Sequence, residues 1–254
     1  MRHQTSLARS LVIFSSLALG TIVPCLLLNC SDVHKNNTLA QSQTKSDDVL
    51  TILLPNGNWA DVTQLNKFKR SEAIKVLRDA ETNASGERAL SIVFLLAALG
   101  DDYEGNRKRL VDALRGCGNS YQPEKPDCYF VADYLMELVR RGDTSLLPPI
   151  FDVSDKADGA FSESLGGFYS DTLKDKPTEF LTALNRYSKD QQRSLCRDAG
   201  WEDGSGMEQG RFRDVAAKLT HLAHQNSSLS AVAKRCLAGV SSAYNEASEN
   251  NRRH

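Results

Sequence analysis

The sequence has almost no excess of charge of either sign. Its 254 residues contain 31 Lys and Arg against 32 Asp and Glu, so the formal net charge is −1. It also has no basic block. Proteins that bind nucleic acid use basic patches to displace counterions from the phosphates. The composition therefore argues against a nucleic-acid partner.

Aromatic residues are few, at 7% of the chain. This argues against a surface that binds carbohydrate by ring stacking. Hydrophobic residues make up 41% and charged residues 25%, which is ordinary for a globular protein. Without its N-terminal stretch, the chain is long enough for one domain or one continuous helical array.

Motifs that define common enzymes are missing. The sequence has no G-x-S-x-G, no P-loop, no dinucleotide fingerprint and no H-E-x-x-H. His221 and His224 would share one helix face, but a third metal ligand is not apparent, so we expect both to be solvated. We therefore predict no catalytic residue, no cofactor and no metal site.

Pairs of acidic residues leave one enzymatic alternative open. They are Asp101-Asp102, Glu202-Asp203, and Glu163 with Glu179. Some hydrolases use two carboxylates on helical scaffolds, one as acid and one as base or nucleophile. Nothing in the sequence selects one pair, and we interpret each as solvated surface.

The N-terminus has the layout of a secretory signal. Within residues 1–30, Arg2, His3 and Arg9 precede an uncharged apolar run, Leu11–Leu28. Residues 31–48 are polar, and we interpret them as a flexible tether.

Three outcomes are open for this segment. Leu27-Leu28-Asn29-Cys30 resembles a bacterial lipobox, in which Cys30 would be lipidated, although the pattern has a small residue where Asn29 stands. Thr38-Leu39-Ala40 resembles a cleavage site that would leave Gln41 as the new terminus. An uncleaved membrane anchor is the third outcome. All three predict an extracytoplasmic protein, whether periplasmic, envelope-anchored or secreted, that meets a membrane only through this segment or its lipid.

Four cysteines follow the leader: Cys117, Cys128, Cys196 and Cys236. An even number in an exported chain predicts disulfides, and four cysteines allow three connectivities. We favour Cys117–Cys128, which closes a loop containing proline and glycine, and Cys196–Cys236. Zinc is the alternative, but no C-x₂-C pair is present. Cys236 also lies on an apolar stripe, where it could be a small buried hydrophobe.

The chain is organised around Ala89–Leu99, ALSIVFLLAAL, in which only Ser91 is not apolar. A helix without a polar face must be surrounded by other elements, and this one is too short to span a bilayer. We expect a buried central helix. Amphipathic stripes predict the covering helices, which lie over Asp61–Ala80 with a break near Lys69, Tyr103–Arg115, Tyr129–Arg141, Ala160–Leu173, and from Pro177, Ser188, Ser205 and Leu229 onwards.

Helix boundaries are marked by several signals. Leu99-Gly100-Asp101 and Arg141-Gly142-Asp143 are two similar helix stops 42 residues apart. Ser188-x-x-Gln191 predicts a capping box, and Ser205-x-x-Glu208 predicts another N-cap. The C-terminal SENNRRH is polar, and we expect it to be frayed.

We expect residues 49–250 to form one helical-repeat domain, and in period and pattern roughly residues 60–250 resemble an α-solenoid of HEAT or armadillo type. The resemblance implies an all-α fold of stacked antiparallel helix pairs, with an irregular helical bundle as the alternative. Stacked helix pairs expose long concave surfaces suited to protein contacts. We therefore expect an exported, non-enzymatic scaffold or binding protein with a protein partner. The alternatives are an extracytoplasmic hydrolase with paired carboxylates, and an inhibitor or immunity-type partner of a secreted enzyme.

Overall fold

The computed structural model describes residues 46–118, 124–202, 204–225 and 227–253. Every regular element in these ranges is helical, and the one strand-like feature is an isolated bridge between Gly118 and Asp127. The predicted all-α class is confirmed. The leader, with Cys30 and the predicted cleavage site, lies outside the described residues.

The elements follow one another with short connections. The α-helices are α1 (46–53), α2 (Arg70–Glu81), α3 (Gly86–Ala98), α4 (Tyr103–Arg115), α5 (Cys128–Arg140), α6 (Leu147–Phe151), α7 (Gly159–Asp175), α8 (Pro177–Leu184), α9 (Lys189–Trp201), α10 (Gln209–His224) and α11 (Ser230–Arg253). Three short 3₁₀ helices cover Val62–Lys67, Thr144–Leu146 and Ser154–Lys156. None of the described helices is long and apolar enough to cross a bilayer.

Helix α3 is the buried centre of the first half, as predicted. Its seven consecutive residues from Ser91 to Ala97 are all buried, because α2, α4 and α5 pack around it. Burying an aliphatic or aromatic side chain contributes about 1.5–3 kcal/mol. This helix therefore supplies a large share of the apolar burial in the first half.

The two predicted helix stops are the same structure. Gly100 and Gly142 both have positive φ, 70° and 122°. After each glycine, the next amide donates to the carbonyl five residues back, from Asp101 to Leu96 and from Asp143 to Leu138. This is the Schellman motif, which satisfies carbonyls at a helix end.

Helices α7, α9 and α11 pack very closely because glycines lie at their contacts. A Cβ at Gly166 would lie 2.6 Å from the Glu202 carbonyl oxygen, and one at Gly239 would lie 2.6 Å from that of Arg193. The disulfide between Cys196 and Cys236 joins α9 to α11 at a Cα–Cα distance of 5.0 Å.

The second disulfide joins Cys117 to Cys128. Two backbone hydrogen bonds lie beside it, from the Gly118 amide to Pro126 and from the Cys128 amide to Gly118. The structure therefore has both disulfides in the favoured connectivity.

Four local expectations need correction. Ser205 does not cap α10; the helix begins four residues later, and Glu208 accepts the cap hydrogen bond from the Arg211 amide. The reason is that Gly204 and Gly206 both have positive φ, which extends the turn. The C-terminal tail is helical as far as Arg253.

The other two corrections concern helix ends. Residues 46–48, assigned to the tether, already belong to α1. Helix α7, predicted over Ala160–Leu173, runs from Gly159 to Asp175 and is continuous through Gly166 and Gly167.

Candidate ligand-binding groove

Two large aromatic side chains remain exposed on one part of the surface. Trp59 is 40% exposed and Tyr129 is 37% exposed. Ile52 is the only other large hydrophobic residue exposed to this degree among the described residues. Trp59 lies in the loop between α1 and the first 3₁₀ helix, and Tyr129 lies in the first turn of α5.

These two residues line adjoining cavities. The first has a volume of about 380 Å³ and the second about 370 Å³, and both are bordered by Asp127 and Tyr129. We call the two cavities together the aromatic groove. Its lining residues are Asn56, Asn58, Trp59, Glu87, Asp127, Cys128, Tyr129, Phe130, Lys156, Asp158, Gly159, Ala160 and Phe161.

A chain of hydrogen bonds fixes the backbone on both sides of Trp59. The Ala60 amide donates to the Tyr134 hydroxyl at 2.9 Å, and that hydroxyl lies 2.7 Å from Ser91 Oγ. Ser91 in turn donates to the carbonyl of Asn58. The residues before and after Trp59 are thereby tied to the buried helices α3 and α5.

The rings beneath Trp59 complete its support. Phe130 meets the indole edge-on, with ring centroids 5.0 Å apart. Tyr134 stacks on Phe94 at 4.2 Å, and its burial raises the pKa of Tyr134 to about 12. The hydroxyl therefore stays protonated and keeps its place in the hydrogen-bond chain at any physiological pH. Trp59 is exposed on a rigid support.

Tyr129 is supported in a similar way. Its ring stacks against Phe161 of α7, with centroids 5.6 Å apart and planes 17° from parallel. Its amide donates to Asp127 Oδ1 at 2.8 Å, the N-cap bond of α5. The nearby Cys117–Cys128 disulfide holds the start of α5 in place.

The charges that line the groove are mainly negative. Glu87, Asp127 and Asp158 contribute carboxylates, and Lys156 is the one basic residue among the lining residues that the structure describes. The Lys156 ammonium is directed to backbone, because Nζ donates to the Cys117 carbonyl at 3.3 Å. The groove therefore combines exposed aromatic rings with carboxylates.

A third cavity, of about 300 Å³ and separate from the aromatic groove, is polar and acidic. It is lined by three carboxylates, Asp152, Asp155 and Asp198, together with serines, Tyr187, Gln191, Phe151 and Leu195. The pKa of Asp198 is raised to about 6, chiefly by burial; Arg197 opposes the shift, and the negative charge of Asp155 adds to it. Asp152 accepts a hydrogen bond from the Tyr187 hydroxyl at 2.7 Å.

The acid pairs named from the sequence do not form this cavity. Asp101 forms a bidentate pair with Arg78, both distances being 2.7 Å, and Glu202 pairs with Arg211 at 2.6 Å. Asp203 lies outside the described residues.

The two histidines are exposed at the end of α10. His224 Nδ1 lies 2.8 Å from the Thr220 carbonyl, and His221 Nε2 lies 2.8 Å from the Gln225 amide nitrogen. No group of three or more His, Cys, Asp or Glu side chains suited to a metal ion occurs in the described ranges.

Sequence reasoning missed Trp59 and Tyr129, because scarce aromatics were taken to exclude a stacking surface. Ser91 carried a usable signal. A single hydroxyl in an otherwise apolar buried helix needs a hydrogen-bond partner. Its partners are the Trp59 loop and Tyr134.

Comparisons with known protein families, curated protein sequences and solved structures find no match for this chain. The residues of the groove are therefore the basis for the function proposed below.

Proposed function

We propose that this chain is an exported, non-enzymatic binding protein that holds a partner protein in the aromatic groove. The observation that supports the proposal most strongly is the rigid exposure of Trp59. Tryptophan and tyrosine supply much of the binding energy at protein interfaces, and a fixed side chain loses little entropy on binding. Hydrogen bonds at Asn58 and Ala60 hold the backbone on both sides of Trp59, and its ring packs on Phe130, which fits that role.

The export part of the proposal is supported by the two disulfides. Disulfides persist in oxidising compartments outside the cytosol. The signal-like segment at residues 1–30 agrees with this location. A lipid on Cys30 would keep the binding domain close to a membrane surface.

Site-specific cross-linking tests the binding role. The photoreactive amino acid p-benzoylphenylalanine is placed at Tyr129, and as a control at Ala217, which is exposed on α10. In the producing cells we expect a discrete adduct only from position 129. Trp59→Ala should abolish that adduct while the protein keeps its helical circular dichroism spectrum. Equal adducts from both positions, or an adduct that survives Trp59→Ala, would refute the proposal.

Intact mass tests the export part. We expect a chain that begins at Cys30 with a lipid adduct, or one that begins at Gln41 without a lipid. Reduction of two disulfides should add about 4 Da in either case. An unprocessed chain recovered from the cytosol, with no mass change on reduction, would contradict export.

The hydrolase alternative is favoured by one observation, the raised pKa of Asp198 beside Asp155 in the acidic cavity. A carboxyl group that is protonated near neutral pH can act as a general acid. Turnover of a glycoside or peptide substrate that is lost in Asp198→Asn and retained in Trp59→Ala would establish this alternative. The inhibitor hypothesis uses the aromatic groove and differs only in the partner, a secreted enzyme.

A further inference from the structure

We infer that the aromatic groove recognises a basic stretch of polypeptide, with a Lys or Arg side chain lying between the Trp59 ring and the carboxylates of Glu87 and Asp127. The inference rests on the proposed binding function and names the chemistry of the partner.

Among the residues that the structure describes, Glu87 and Asp127 have no basic side chain as a partner. Glu87 makes no hydrogen bond or ion pair through its side chain with any other residue of the described ranges, and Asp127 uses only Oδ1, in the cap of α5. Several carboxylates elsewhere are paired with a basic side chain, as Asp143 is with Arg107 at 2.8 Å. The groove therefore has unused capacity for a cation.

The two basic side chains that border the groove are bound to backbone carbonyls. Arg88 Nη1 donates to the Gly57 carbonyl at 2.7 Å, although Arg88 is adjacent to Glu87 in sequence. Lys156 Nζ donates to the Cys117 carbonyl. Each of these contacts stabilises a loop that shapes the groove, and neither cation forms an ion pair with Glu87 or Asp127.

The exposed aromatic rings add to this preference. The face of an indole or phenol ring attracts Lys and Arg side chains, and Arg more often. A guanidinium beside Trp59 would contact the ring on one side and pair with a carboxylate on the other. A neutral glycan is the other ligand class that stacks on tryptophan; its hydroxyls can donate to the carboxylates, but it brings no positive charge to offset theirs.

The size of the groove fits an extended chain. Two cavities of about 380 and 370 Å³ adjoin at Tyr129. Side chains on one face of an extended peptide recur about every 7 Å, so two neighbouring pockets suit residues i and i+2. The 370 Å³ cavity includes Phe161 and accepts an apolar or a second basic side chain.

The fluorescence of Trp59 reports directly on binding. The chain has two tryptophans, and the other one, Trp201, lies at the end of α9, so Trp201→Phe leaves Trp59 as the single reporter. The probe is the blocked pentapeptide Ac-Ala-Arg-Leu-Arg-Ala-NH₂. Its control replaces both arginines with citrulline, which has a similar shape and no charge. Chitotriose is the glycan probe.

We expect the arginine peptide to change the Trp59 emission saturably and to bind roughly tenfold more tightly than the citrulline peptide, with a preference that weakens as salt is raised. The double variant Glu87→Gln/Asp127→Asn should lose this preference. Asn caps a helix as well as Asp does, so α5 should be preserved. Glu179→Gln/Asp214→Asn, which changes the same charge at two exposed positions away from the groove, is the matched control and should bind like the parent.

Equal binding of the two peptides would overturn the inference, as would a response to chitotriose alone or to none of the probes. The proposed binding function has a separate test. If cross-linking from position 129 still depends on Trp59 while the arginine peptide shows no preference, the groove is a binding site and its ligand is not a basic polypeptide.

Discussion

Adjacent glycines in α7 should respond to the same substitution in opposite ways. A Cβ at Gly166 would lie 2.6 Å from the carbonyl oxygen of Glu202 and 2.9 Å from that of Asp198. A Cβ at Gly167 would have no neighbour within 4 Å. Both contacts at Gly166 are with backbone, which cannot rotate away as a side chain can. Gly166→Ala must therefore push α7 away from the end of α9.

The expected magnitudes follow from two opposing effects. Replacing glycine with alanine inside a helix stabilises it by about 1 kcal/mol. Overpacking a close contact costs about 1–3 kcal/mol, and two backbone clashes place Gly166 at the upper end. We expect Gly166→Ala to lower the free energy of unfolding by about 1–2 kcal/mol. Gly167→Ala should raise it by about 0.5–1 kcal/mol, since only the helix effect applies.

Urea unfolding followed by circular dichroism measures both variants against the parent, at constant m-value. Because both substitutions are glycine to alanine at adjacent helical positions, differences in propensity cancel in the comparison. The packing argument would be refuted if the two variants shifted the unfolding midpoint in the same direction by similar amounts.

Three further perturbations test other contacts. Tyr134→Phe removes the acceptor of the buried Ala60 amide and should lower the free energy of unfolding by about 1–3 kcal/mol in urea titrations; no change would show that the hydrogen-bond chain is unimportant. Replacing Cys196 and Cys236 together with alanine opens a loop of 40 residues and should cost about 4 kcal/mol on the chain-entropy estimate; a loss below about 1 kcal/mol in urea titrations would contradict it. Asp198 has a folded pKa of about 6, above that of an unfolded aspartate, so its contribution to stability falls as pH rises through about 4 to 6. Asp198→Asn should therefore be more stable than the parent by about 1–2 kcal/mol near pH 7.5 and should lose this advantage near pH 4, and a pH-independent difference would contradict the assignment.

Periodic and capping signals predicted much of the fold. The apolar run Ala89–Leu99 became the buried centre of α3, and the capping box at Ser188 and Gln191 starts α9. Local signals failed where a turn competed with them. Ser205 has the spacing of a cap, but glycines with positive φ on both sides of it delay the helix. A local pattern cannot show which of two local conformations the surrounding packing will select.

The candidate site was not predictable in the same way. The groove is built from residues far apart in sequence, none of which belongs to a recognisable motif. Trp59 lies in a loop, Glu87 in the first turn of α3 and Tyr129 in the first turn of α5. Composition was misleading here, because two exposed rings form the groove even though aromatics are scarce overall.

The sequence by itself determined the helical class, most helix boundaries and the buried central helix, because these depend on residues within a few helical turns. Its even number of cysteines indicated disulfides, but which cysteines pair was decided by the tertiary structure. Tertiary structure alone decided that Gly166 and Gly239 are packing positions and that Trp59 is exposed on a rigid support. It also decided that Asp198, which belongs to none of the acid pairs named from the sequence, has a raised pKa. These properties depend on which distant backbone, ring or charge comes within a few ångströms, and that is set when the helices pack.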